Sequence, residues 1–149
     1  MTASEAVAGP LPPAGATTWV EQIGPGAYRG HNGAGATVVM TSPGSPDSFT
    51  PGELLKLALA GCVGLTAEAG LARHLGAPGP AVIVVEGRRH PTEERYTELD
   101  GHLIVDLAGL TDQTKERLRH LIDLSLAKAC TVGLTLAHGV EVQFTLDQA

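Results

Sequence analysis

Between Leu54 and Ala67 the only charged side chain is Lys56, within a longer run reading LLKLALAGCVGLTAEAGLARHLG. A helix apolar nearly all round has to be enclosed, in a protein interior or a subunit interface. Its start is marked three times over. Thr50 can cap, Pro51 suits the first helical position, and Glu53 completes a Thr-x-x-Glu capping box. Gly76 and Pro78 stop it after Leu75. Cys62 falls near the middle, flanked by Gly61 and Gly64.

The remaining elements have to be built around this helix. Residues 1–16, rich in Ala, Pro and Gly, read as a mobile tail, and residues 17–149 as one domain. Three short strands are expected first, over Thr17–Ile23, Ala27–His31 and Ala36–Met40, with Asn32-Gly33 as a hairpin turn. After the helix come the β-branched strand Ala81–Glu86, a polar extension and turn, and a strand over His102–Leu107. Thr111 opens a second helix, with Asp112 in the first turn where the helix dipole favours a negative charge. Leu118, Leu121, Ile122, Leu126 and Ala129 follow helical spacing, and Cys130 continues that stripe if the helix reaches it. The alternation in Val140–Leu146 predicts a last strand. The fold class is α+β.

The net charge of −6 argues against a nucleic-acid partner. The amino terminus lacks the charged and apolar regions of a signal peptide, and no run of 18 apolar residues is present to span a bilayer. A cytoplasmic protein without a membrane partner is the expectation, and in that compartment thiols stay reduced. His31, His74, His90, His102, His120 and His138 are scattered without ligand spacing, so neither a metal nor another cofactor is expected. Arg88, Arg89 and His90 read as a solvated strand end, and Ser125 as bonding back to a helix carbonyl.

That leaves the two cysteines as the candidate reactive groups. Such a pair is most often a pair of small buried hydrophobes. A reactive one needs thiolate character, and at an ordinary pKa of about 8.5 roughly 3% is ionised at neutral pH. Cys62 lies mid-helix, so its own helix dipole helps little, and an arginine from another segment is the natural source of positive charge. Peroxide would convert such a thiolate to a sulfenic acid, which a second thiol condenses with to give a disulfide. Cys130 is the available second thiol.

The segment from Thr50-Pro51-Gly52-Glu53 through Ala60-Gly61-Cys62 resembles the Pro-Glu-x-Leu…Cys helix of the OsmC/Ohr family. Ala129-Cys130-Thr131-Val132, followed by Leu134-Thr135-Leu136 and a terminal strand, is similar to that family's second-cysteine segment. The resemblance spans roughly residues 17–147 and implies an OsmC-like fold: an intertwined homodimer with antiparallel sheets around two long central helices. It implies a thiol peroxidase in oxidative-stress defence, reducing organic hydroperoxides and re-reduced by a dithiol such as a lipoylated protein. Cys62 would attack and Cys130 resolve. The family's glutamate directly follows the helix-starting proline, where this chain has Gly52; Glu53, one place later, is taken as its counterpart. Arg29, the arginine of the early strands, is taken as the thiolate-stabilising residue. The alternative from another class is a non-catalytic dimeric scaffold of the same fold, binding an apolar small molecule between its helices.

Overall fold

A computed structural model describes residues 11–12, 14–76 and 80–147. Most of the expected tail, and Pro78, lie outside the described residues. The chain forms two compact units, one comprising residues up to 54 and from 144 onward, the other residues 55–143.

The first unit is an antiparallel three-stranded sheet, β1 (Thr18–Gly24), β2 (Ala27–Asn32) and β3 (Thr37–Thr41), in sequential order. All three strands fall within about one residue of their expected positions. Trp19 pairs with His31 and Glu21 with Arg29 across β1 and β2, so all four side chains share one face. There the Trp19 and His31 rings stack with centroids 5.1 Å apart. At the second turn the Asn32 side chain accepts the N–H groups of Ala34 and Ala36, at 3.0 and 2.8 Å.

Helix α1 runs over Pro51–Leu75, and its first turn belongs to the first unit. The capping box is present: the Thr50 N–H donates to Glu53 Oε2 at 2.7 Å, and the Glu53 N–H donates to Thr50 Oγ1 at 3.3 Å. Gly76, with φ of 84°, ends the helix in a conformation that favours glycine.

In the second unit the hairpin of β4 (Val82–Arg89) and β5 (Tyr96–Ile104) precedes α2 (Asp112–Ala129) and α3 (Thr131–His138). Thr111 caps α2 as expected, its side chain accepting the Thr114 N–H. Ser125 Oγ donates to the Leu121 carbonyl at 2.9 Å. Arg88 and Arg89 form ion pairs at the exposed hairpin end, with Glu98 and Glu94 in turn, and His90 Nε2 lies 3.5 Å from Glu93 Oε1. Ala67 and Leu71 of α1 and Leu118 of α2 are fully enclosed, with Leu103, Val105, Leu107 and Ile122 packed around them.

Three expectations need correction. The strand placed over His102–Leu107 lies earlier, because pairing with β4 runs from Val82↔Ile104 to Arg89↔Tyr96; Val105 and Leu107 instead turn in against the core. The α2 stripe stops at Ala129, and Cys130 sits between two helices that meet at 68°. Residues 131–138, to which the sequence reading assigns no element, form α3. Val140–Leu146 has the alternation of a strand but belongs to no sheet among the described residues, and Phe144 is 93% exposed. Alternation makes a strand only where an edge is available to pair with.

In the single chain α1 buries Ala67 and Leu71 but leaves Leu57 49% and Leu65 77% exposed. By length and composition alone α1 is also long and apolar enough to cross a membrane.

Candidate functional site

Cys62 and Cys130 are both free thiols, and the second unit brings them together. Cys62 lies on α1 and is half-buried; Cys130 is buried at the junction of α2 and α3. The junction follows from the backbone. The Cys130 N–H closes α2 on the Leu126 carbonyl at 3.2 Å, while its own carbonyl opens α3 by accepting the Leu134 N–H at 2.8 Å.

A helix start leaves its first N–H groups without partners inside the helix. The N-cap residue of α3 is Cys130, and its side chain makes no capping bond of the usual kind. The thiol of Cys62 occupies this helix end instead. Its pKa is held below the ordinary cysteine value, chiefly by the Val132 N–H, then by the Cys130 thiol, the Thr66 hydroxyl and the Thr131 N–H, against an opposing effect of desolvation. Each of these partners is neutral. Positive potential at the N-terminus of α3 acts in the same direction.

Cys130 moves the other way. Burial raises its pKa, the neighbouring Cys62 raises it further, and the Gly133 N–H offsets part of this. One thiol is therefore poised to ionise and the other to hold its proton. A proton shared between them favours the negative charge on Cys62, and this is the arrangement a nucleophile with an adjacent donor requires.

The other two candidate residues lie in the first unit. Arg29 on β2 faces Glu21 at 3.5 Å, and Glu21 also meets His31 Nε2 at 3.0 Å. Glu53 serves the cap of α1, accepting from Thr50 Oγ1 at 3.0 Å as well as from the Thr50 N–H.

Sequence reasoning missed Thr66, Thr131, Val132 and Gly133. Thr66 had a readable signal, since four residues after Cys62 is the same face of a helix. The α3 residues did not, because Thr-Val-Gly-Leu-Thr-Leu combines β-branched residues and glycine, both poor helix formers. The one clue was Gly139, which takes φ of 74° just past the helix.

A family model described as OsmC-like protein matches residues 44–145, the span from just before α1 to beyond α3. An uncharacterized protein of Mycobacterium tuberculosis is 44% identical over 124 residues, covering 83% of this chain and 90% of its own length. An uncharacterized protein of Mycobacterium bovis matches to the same extent. Among solved structures, an OsmC-like protein from Mycoplasma pneumoniae superposes with a TM-score of 0.65 at 14% identity, over 80% of this chain and 85% of its own. A protein from Psychrobacter arcticus, provisionally named for osmotic stress induction and a detoxification response, gives 0.62 at 20% identity, over 80% and 87%. At such identities the structural likeness speaks to the fold.

Proposed function

The chain belongs to the OsmC-like protein family, and from that premise we propose that it is a thiol-dependent peroxidase that reduces organic hydroperoxides through Cys62 and Cys130. The observation that carries the proposal is the placement of the Cys62 thiol against both the first N–H groups of α3 and the Cys130 thiol. The detoxification role in the name of the Psychrobacter protein points the same way.

The proposed chemistry runs in two steps. The Cys62 thiolate attacks the terminal peroxide oxygen; an S–O bond forms, the O–O bond breaks, and the alkoxide leaves as an alcohol after taking a proton. Cys62 is now a neutral sulfenic acid. The negative charge that helped keep Cys130 protonated has gone, so Cys130 ionises more readily at this moment. Its thiolate attacks the Cys62 sulfur, the disulfide forms, and hydroxide leaves as water. A dithiol of the lipoyl class then returns both cysteines to thiols by exchange. The opposed pKa shifts thus put the two thiols in a working order.

The proposal includes a homodimer acting in the reducing cytoplasm. Its support is α1, whose Leu57 and Leu65 are left open on a stretch, Leu54 to Ala67, with one charged side chain; a second copy would enclose them. Arg29 and Glu53 are carried in the proposal as the family-derived cation and carboxylate, and Arg29→Gln tests the first through slower loss of the Cys62 thiol.

The deciding experiment titrates the reduced protein with cumene hydroperoxide and counts free thiols. Loss of both thiols in the wild type, with none lost in Cys62→Ser, is the expected result. Thiols that survive excess peroxide would leave the second reading, an apolar-ligand scaffold. What favours that reading is a cavity of about 520 Å³ lined by Val63, Leu71, Leu103, Leu118, Ile122 and Leu126.

A further inference from the structure

Building on the peroxidase reading, we infer that Gly133 is a positioning residue for the disulfide-forming step, where the lack of a side chain keeps the Cys130 sulfur lying over the first turn of α3 beside Cys62. The case begins with a glycine that its helix does not require. Gly133 sits in the first turn of α3 without a positive φ, and helix propensity alone would favour alanine there. The reason for glycine is therefore space. A Cβ at this position would lie 3.0 Å from Cys130 Sγ, 3.6 Å from Cys130 Cβ and 3.7 Å from Leu59 Cδ1 of α1.

Nor can Cys130 simply step aside. Its backbone is tied at both ends, to Leu126 behind and Leu134 ahead, so its Cβ is fixed by two helices at once. A methyl group at 133 could be accommodated only by moving the sulfur, by a few tenths of an ångström or into another χ1 well. Leu59 Cδ1 of α1, at 3.7 Å, would be in ordinary van der Waals contact with the same methyl group. Attack of one sulfur on another is sensitive to approach, and displacements well short of a bond length are costly in such a step. The first step makes its bond at Cys62 alone, with the Val132 N–H ahead of the Cys130 thiol in holding its pKa down. Gly133→Ala should therefore slow resolution of the sulfenic acid more than its formation.

The test mixes reduced protein with cumene hydroperoxide in the presence of dimedone, which captures sulfenic acid, and follows each cysteine by mass spectrometry. Wild type is expected to pass quickly to the Cys62–Cys130 disulfide with little adduct. In Gly133→Ala the disulfide should form about tenfold more slowly, a larger loss than any slowing in consumption of the first equivalent of peroxide. Dimedone adduct should accumulate on Cys62, and without the trap a second equivalent of peroxide should oxidise the lingering sulfenic acid to sulfinic acid. Disulfide formation at the wild-type rate with no rise in adduct overturns the inference. Wild type that yields neither adduct nor disulfide overturns the peroxidase reading itself, and with it the role in resolution.

A second measurement holds even if the variant folds poorly. Gly133→Ala is melted alone and in a Cys130→Ala background. Contact with the sulfur predicts that the substitution lowers Tm in the first case and has a smaller or opposite effect in the second. Equal shifts in the two backgrounds would show that the sulfur is not what Gly133 accommodates.

Discussion

Two chemically identical side chains of one chain are driven apart by where their sulfurs lie. Cys62 is pulled toward the thiolate by the Val132 N–H and its neighbours, while burial holds Cys130 as a thiol. A lowered pKa means that the reactive form is present at lower pH; a raised one delays it. Alkylation by iodoacetamide, measured against pH on the Cys130→Ser and Cys62→Ser proteins, should therefore show Cys62 reaching half its maximal rate below the pH of an ordinary cysteine and Cys130 above it. The Val132 donor can be removed on its own. Proline lacks an N–H yet is tolerated in the first turn of a helix, so Val132→Pro should move the Cys62 half-maximum upward while far-UV circular dichroism stays close to wild type. An unchanged half-maximum would argue that this N–H is not the principal donor.

The elements differ in how firmly local chemistry specifies them. The start of α1 rests on the reciprocal Thr50 and Glu53 bonds, and Thr50→Ala is expected to cost about 1 kcal/mol, read as a lower Tm or denaturation midpoint. That start, the three strands of the first sheet and the Thr111 cap were all legible in the sequence, because caps, turns and short-range periodicity depend on residues within a few positions of one another. Cys62 and Cys130 were legible as candidates on the same basis. What surrounds them was not. Val140–Leu146 alternates like a strand and pairs with nothing described, while the β-branched run after Cys130 is helical. In both places the outcome turned on packing partners remote in sequence, and local preference yielded to them. The depressed pKa of Cys62 was hidden for the same reason, since its source is the start of a helix that sequence preference did not reveal.

For the whole molecule the open question is what covers α1. Leu65, 77% exposed on the single chain, lies on the surface proposed to meet a second copy. Light scattering should report a dimer at micromolar concentration for the wild type, and Leu65→Glu should convert it to monomer by burying a charge without a partner. A wild type that is monomeric under these conditions would count against self-association. A protein can diverge widely across its length and keep its chemistry if that chemistry depends on what divergence leaves untouched. The main donor to Cys62 is a peptide N–H, a group that every amino acid except proline supplies. Systematic replacement of side chains by alanine would pass straight over it, and a catalogue of invariant residues would omit it. The largest contribution to the lowered Cys62 pKa is set by the path of the main chain.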